Sequence, residues 1–140
     1  MRYAIAFCAA ALFMAAPVCA LAGTADEEVD WSRYASEETV TAVTTDEDGS
    51  ERETTIWLVV VDGDAYIRTG NTRWGGNVER DHEILLRVAT EEIPVRVRFV
   101  MDEDLRRRTI EAFRAKYGIA DSFFDIFRGR HPKIMQLAPR

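Results

Sequence analysis

Residues 54–77 read TTIWLVVVDGDAYIRTGNTRWGGN, and this stretch decides the fold. Its first half is an apolar run without a polar interruption, which is typical of a strand covered on both faces. The dipeptide Asp62-Gly63 follows and is a strong signal for a tight hairpin turn. Residues 65–69 return as the next strand, and a turn rich in Arg, Thr, Asn and Gly comes after them. The stretch therefore predicts a β-hairpin followed by a polar turn.

Outside this stretch, hydrophobic periodicity predicts more strands and one long helix. The predicted strands are residues 38–45, 54–61, 65–69, 83–89 and 94–101, with a sixth at 133–137. Asp102 can cap a helix that Gly118 ends. The apolar stripe of this helix is Ile110, Phe113 and Tyr117. Shorter helical segments are predicted at residues 27–36 and 121–127. The pattern indicates an α+β fold, a small closed barrel with helices packed outside it.

The first 22 residues are predicted to be a signal peptide. Their apolar run, residues 4–16, is too short to span a bilayer, which requires about 20 residues. Small residues precede position 23, as at a signal-peptidase cleavage site. Cleavage near Ala22 predicts an exported protein, periplasmic or secreted, with no membrane span left after cleavage. Both cysteines lie in this leader, so residues 23–140, predicted as one domain, have no disulfide and no thiol nucleophile.

The charge of the chain limits its partners. A net charge of −6 argues against general nucleic-acid binding, because that affinity depends on cations that neutralise phosphates. A local group of arginines can still hold a single phosphate, since guanidinium pairs with it through two hydrogen bonds. The sequence contains no metal-ligand motif, nucleophile elbow or phosphate-binding loop. It therefore predicts no metal site and identifies no catalytic residue.

The polar turn after residue 67 concentrates groups that bind anions. Arg68 and Arg73 can each form a forked pair with a phosphate, and Thr69 and Thr72 add hydroxyl donors. The glycines of the turn, at positions 70, 75 and 76, permit positive φ and a close approach of backbone N–H groups to an anion. The turn therefore predicts a site for a small anionic ligand.

The same region carries a longer motif, made of Ile56-Trp57, Val59-Val60, Tyr66, Arg68-Thr69, Trp74 and Asn77. In this order the motif resembles an uncharacterised branch of the flavin-binding split-barrel superfamily typified by pyridoxamine 5′-phosphate oxidase. That superfamily also includes deazaflavin-dependent nitroreductase-like proteins. The resemblance implies a small six-stranded antiparallel split β-barrel with flanking helices. It also implies a homodimer that binds FMN or a related flavin at the subunit interface.

The resemblance further implies which residues hold the cofactor phosphate. In the oxidases an aromatic–Thr strand end and a following turn bind it. These elements correspond here to residues 66–69 and 72–74. The implied cofactor-binding residues are Arg68, Thr69, Thr72, Arg73 and Trp74. Trp74 stands where the family has a lysine, so one expected cation is replaced by a side chain that stacks on a ring or packs in the core.

Two functions are compatible with these observations. One is an exported flavin-binding domain with oxidoreductase activity, in which the cofactor carries out the redox chemistry. The other is a non-enzymatic envelope domain that has lost flavin binding and serves as an accessory or binds another small ligand. The replacement of the family's lysine by Trp74 and the absence of a recognisable catalytic motif favour the second function. The Arg/Thr-rich turn favours the first.

Overall fold

The computed structural model describes residues 28–118, 120 and 132–140. In chain order these residues form the 3₁₀ helix η1 (Trp31–Tyr34), β1 (Val40–Thr45), β2 (Glu51–Ile56), β3 (Leu58–Val61), β4 (Asp64–Thr69), α1 (Arg73–Arg80), β5 (Glu83–Val88), β6 (Glu91–Phe99), α2 (Glu103–Tyr117) and β7 (Lys133–Pro139). The strands of this part of the chain make one antiparallel sheet in the order β2-β1-β5-β6-β7-β4-β3. The predicted signal peptide and the predicted helical segment at 121–127 lie outside the described residues.

The two edge strands of this sheet are consecutive in the chain, and the single residue Trp57 joins them. Ile56 ends β2 opposite Val40 of β1, whereas Leu58 begins β3 opposite Ile67 of β4. Ile56 and Leu58 both contribute to the same buried core. The chain therefore changes its pairing partner at Trp57 without changing face, and this crossover closes the sheet into a split barrel.

The crossover corrects the predicted strand count from six to seven. Residues 54–61 are predicted as one strand, because their apolar run has no turn signal. The structure divides the run at Trp57, since the backbone pairs first with β1 and then with β4. The other five predicted strands are present close to their predicted positions.

One apolar cluster fills the interior of the barrel. Alternate strand residues such as Ile67 point inward and pack against one another. Trp31 and Tyr34 of η1 complete the cluster near the start of β1, while Trp74 and Val78 of α1 complete it near the end of β1. The two buried aromatics anchor this segment, which is a 3₁₀ helix of four residues within the predicted helical segment at 27–36.

A second apolar cluster lies under α2, on the outer face of β3 and β4. Phe113 is fully buried there beside Val59 and Tyr66. The helix begins after Asp102, whose side chain accepts a hydrogen bond from the third backbone N–H of the helix, and it ends at Gly118, where φ is 57°. The predicted cap, end and central apolar residue of this helix are confirmed. No helix of the described segments is long and apolar enough to cross a membrane.

The predicted polar turn is largely a helix. Thr72 caps α1 through its Oγ1, which accepts a hydrogen bond from the backbone N–H of Gly75 at 3.1 Å. Gly75 and Gly76 are therefore helical. None of the three glycines of the predicted turn has a positive φ, although the sequence permits it. The described glycines with positive φ are Gly49, Gly63 and Gly118. Each glycine disfavours a helix by about 1 kcal/mol relative to alanine. Burial of two apolar side chains of α1 in the barrel outweighs this preference.

Candidate anion-binding site

An open pocket of about 430 Å³ lies between α1 and the turn that joins β1 to β2. One side, the α1 wall, consists of Thr72, Arg73, Gly76, Asn77 and Arg80. The opposite side, the turn wall, consists of Asp46, Glu47 and Asp48. The volume falls within the range of small-molecule sites, about 300–1,000 Å³. The pocket therefore offers a cationic wall facing an acidic wall.

The mouth of the pocket on the α1 wall is positive. Arg73 is exposed at the first residue of the helix, and its guanidinium makes no hydrogen bond or ion pair with another residue in the described segments. The N-terminus of a helix adds partial positive charge through its unsatisfied N–H groups. This end of the pocket can accept an anion without breaking an existing ion pair of Arg73.

A pair of threonine hydroxyls supports the cap of α1 from behind. The Oγ1 atoms of Thr69 and Thr72 are 2.7 Å apart, and Thr69 Oγ1 also lies 3.2 Å from the carbonyl of Gly70, to which it can donate. A β-carbon built on Gly75 would lie 2.9 Å from Thr69 Oγ1 and 3.0 Å from Thr72 Oγ1. Only a residue without a side chain lets the first turn of α1 approach the end of β4 this closely.

Asn77 connects the two walls of the pocket. Its buried amide nitrogen donates to Thr44 Oγ1 at 3.1 Å and to Asp46 Oδ1 at 2.7 Å. Its carbonyl oxygen accepts from Arg80 Nη2 at 3.0 Å, and the same nitrogen of Arg80 donates to the carbonyl of Thr45 at 2.6 Å. The helix and the turn are thus held at a fixed separation, and the guanidinium of Arg80 is held beside the pocket.

Two of the three carboxylates of the turn wall are engaged within the hairpin. Asp46 accepts two hydrogen bonds from Arg52, at 2.8 and 2.6 Å. These bonds, followed by the one from the Asn77 amide, lower the pKa of Asp46 to about 2. Asp48 accepts from the hydroxyl and the backbone N–H of Ser50, which lowers its pKa as well. Both groups therefore stay ionised at neutral pH while their charges are partly compensated locally.

Of the five predicted cofactor-binding residues, the structure brings three together. Thr72 and Arg73 line the pocket, and Thr69 lies buried directly behind Thr72. Trp74 is 7% exposed and points into the barrel, so it packs in the core and does not face the pocket.

Arg68 does not share a surface with the other four predicted residues. Successive strand residues point to opposite faces, so Arg68 lies on the α2 side of β4 while Thr69 faces α1. Its guanidinium carbon is 4.4 Å from the ring centroid of Phe113 and 5.8 Å from that of Trp57. Such contacts are attractive between a cation and an aromatic face. Arg68 contributes to packing under α2 and not to the pocket.

Sequence reasoning missed Asn77 and Arg80 as pocket residues, and it missed the turn wall. Arg73, Asn77 and Arg80 are spaced by four and three residues, which places them on one helix face. This spacing would have indicated a shared wall if residues 73–80 had been recognised as helical. Over residues 28–118, 120 and 132–140, the structure contains no group of three or more metal-ligating side chains.

Comparisons with known proteins identify the fold and the family. A family model described as "Uncharacterized protein conserved in bacteria (DUF2255)" matches residues 30–131. No curated protein matches the chain. The heme storage protein HutZ of Vibrio cholerae is similar in structure, with a TM-score of 0.62 and 14% identity over 78% of this chain and 87% of that one. An F420-H2 dependent reductase has a TM-score of 0.60 and 14% identity over 73% and 95% of the two chains.

A candidate pyridoxamine 5′-phosphate oxidase from Listeria innocua has a TM-score of 0.56 and 13% identity, over 74% of this chain and 84% of that one. At such identities these likenesses establish the fold alone, a split barrel, as the motif predicts. Because the family model matches more than half of the sequence, the chain belongs to the bacterial family DUF2255.

Proposed function

We propose that this chain is a split-barrel domain that binds the phosphate end of FMN or a related flavin in the pocket between α1 and the turn wall. The observation that carries the proposal is the position of Arg73. It is an exposed cation at the start of α1, beside Thr72, with no ion-pair partner in the described segments. The fold supports the proposal, since an F420-H2 dependent reductase and a heme storage protein share it.

The residues of the α1 wall fit a phosphate. The guanidinium of Arg73 can pair with two phosphate oxygens, and the partial positive charge of the α1 N-terminus lies beside it. Each charge-assisted hydrogen bond contributes about 1.5–3 kcal/mol. Two such bonds supply about 3–6 kcal/mol of the roughly 8 kcal/mol that micromolar binding requires. The remainder must come from the rest of the ligand.

The flavin ring requires a surface that this pocket does not supply. Every side chain that lines the pocket is charged or polar. The ring would therefore lie against a second subunit, and we propose a homodimer in which the site is completed at the interface. When bound, a flavin supplies hydride transfer. The residues of this chain bind and orient its phosphate, and none is assigned a catalytic role.

Flavin binding is tested by fluorescence titration of the purified protein with FMN, riboflavin, F420 and heme. FMN is expected to bind at micromolar concentration, and riboflavin, which lacks the phosphate, at least about tenfold more weakly. Arg73→Ala is expected to weaken FMN binding about tenfold, the equivalent of 1.4 kcal/mol.

Arg114→Ala is the matched control, because Arg114 is an exposed arginine of α2 that does not line this pocket. Equal losses in the two variants would show that only net charge matters. Absence of FMN binding up to about 100 micromolar protein would refute the flavin proposal.

The polar lining of the pocket favours a second candidate, a non-enzymatic domain that binds a small anion without a flavin. Three carboxylates face the α1 wall, and no apolar side chain is available there for a ring. Inorganic phosphate that binds as tightly as FMN, with the same dependence on Arg73, would support this candidate over the first.

We also propose that the domain, residues 23–140, acts outside the cytoplasm. The N-terminal sequence supports this, since a short apolar run precedes small residues near Ala22. The intact mass of the protein recovered from the periplasm or the medium tests it. A chain that retains residues 1–22, or that stays with the cytoplasmic fraction, would contradict export.

A further inference from the structure

We propose that Glu47 is an internal competitor for the anion that binds in this pocket. Its carboxylate pairs with Arg80 in the absence of ligand, and an anion that contacts Arg80 must displace it. This inference rests on the proposed function, because it assumes that an anionic group binds on the α1 wall. It goes further by naming the residue that limits the affinity of the site.

The bonding of the turn wall singles out Glu47. The carboxylates of Asp46 and Asp48 are held by side chains of their own hairpin or of α1. Glu47, in contrast, is 90% exposed and makes no hydrogen bond with another residue in the described segments. Its Oε1 lies 3.8 Å from Arg80 Nη1, which is an ion pair but longer than a hydrogen bond. Glu47 is therefore the carboxylate of this wall that can move away at low cost.

The bonding of Arg80 shows where the anion would enter. One terminal nitrogen, Nη2, is held by the carbonyls of Thr45 and the Asn77 side chain. The other, Nη1, has Glu47 as its ion-pair partner in the described part of the chain. An anion can therefore replace the carboxylate at Nη1 while the guanidinium stays in place. Arg73 lies seven residues earlier on the same helix face, so both cations can contact one ligand.

The expected effect is modest, because the pair is exposed. Exposed ion pairs change equilibria by less than about fivefold. Glu47→Gln is therefore expected to strengthen binding of inorganic phosphate about two- to fivefold at low ionic strength, where screening is weak. Higher salt should reduce the gain.

Calorimetric titration of the full chain with inorganic phosphate tests the inference. Glu51→Gln is the matched control, since it removes the same charge from an exposed residue of β2 that does not line the pocket. The gain from Glu47→Gln should disappear in an Arg80→Ala background, because the competitor then has no target. Arg80→Gln keeps a donor for the Thr45 carbonyl and is measured in parallel, so a folding defect in one variant does not decide the result.

A gain that persists without Arg80, or that Glu51→Gln shares, would mean general repulsion and would overturn the inference. In that case, binding that still depends on Arg73 would leave the proposed function intact. Failure of the wild type and every variant to bind phosphate would overturn this inference, whereas the proposed function is decided separately by the FMN titration.

Discussion

Alanine at Gly75 is expected to destabilise the protein, whereas alanine at the neighbouring Gly76 is expected to stabilise it. Both glycines lie inside α1 with helical backbone, so each substitution gains the same helix propensity, about 1 kcal/mol. The two positions differ only in what the new methyl group meets. The pair therefore isolates the close approach of α1 to the end of β4.

The contacts give the size of the effect. The added carbon at Gly75 would lie 2.9 Å from Thr69 Oγ1 and 3.0 Å from both Thr69 Cγ2 and Thr72 Oγ1. Thr69 is 2% exposed and its hydroxyl is hydrogen-bonded, so it has no free space to rotate into. Overpacking of this kind costs about 1–3 kcal/mol, and a lost hydrogen bond adds about 1 kcal/mol. After the helix gain is subtracted, the net loss is about 1–3 kcal/mol.

At Gly76 the added carbon meets no atom within 4 Å, so the gain of about 1 kcal/mol is retained. Urea denaturation followed by circular dichroism measures both free energies of unfolding. For a domain of about 100 residues, 1 kcal/mol moves the Tm by about 4–8 °C. A Gly75→Ala variant as stable as the wild type, or equal shifts in the two variants, would refute this account of the α1–β4 contact.

Three further predictions concern the core and two titrating groups. Phe113→Ala should lower the free energy of unfolding by about 3–5 kcal/mol, because the ring is fully buried. Met101→Ala, at a residue 83% exposed, should change it by less than about 0.5 kcal/mol. Urea denaturation compares the two variants. The pKa of Asp46 is about 2 in the folded protein and about 3.9 in an unfolded chain. The ionised carboxylate therefore stabilises the fold above about pH 4, and this stabilisation is lost as the pH falls toward 2. Asp46→Asn should flatten that part of the stability curve, and an unchanged slope would contradict the assignment. The Tyr34 hydroxyl donates to Glu91, and this hydrogen bond raises the pKa of Tyr34, so the free energy of unfolding should fall as the pH rises above about 10 toward the folded-state pKa. Tyr34→Phe should remove this decline and cost about 1 kcal/mol at neutral pH. Urea denaturation at neutral pH and above pH 10 measures both effects.

Local signals in the sequence predicted the elements whose geometry is locally determined. The dipeptide Asp62-Gly63 forms the expected hairpin turn, with positive φ at both residues, 52° and 87°. The helix α2 begins after Asp102 and ends at Gly118 because capping and left-handed termination depend on single residues. These features need no information from distant parts of the chain.

Features that depend on distant contacts were not predictable in this way. The division of the 54–61 run at Trp57 depends on which strands lie on either side, and no residue of the run signals it. The glycines of α1 favour a turn, yet burial of apolar side chains in the barrel makes the segment helical. The pocket joins α1 to the turn wall about 30 residues earlier through Asn77 and Asp46, a contact that local patterns cannot show.

The position of β7 has a consequence for synthesis of the protein. This strand pairs with β6 on one side and β4 on the other, so it lies in the interior of the sheet although it is the last strand described. A nascent chain that ends before residue 133 can form the four-stranded sheet β2-β1-β5-β6 and the hairpin β3-β4. Without β7 no strand pairing joins these two units, which are connected along the chain at Trp57 and through α1. Pairings between such distant segments form slowly. Until β7 has emerged from the ribosome, the edges of β4 and β6 stay open to pairing with other chains.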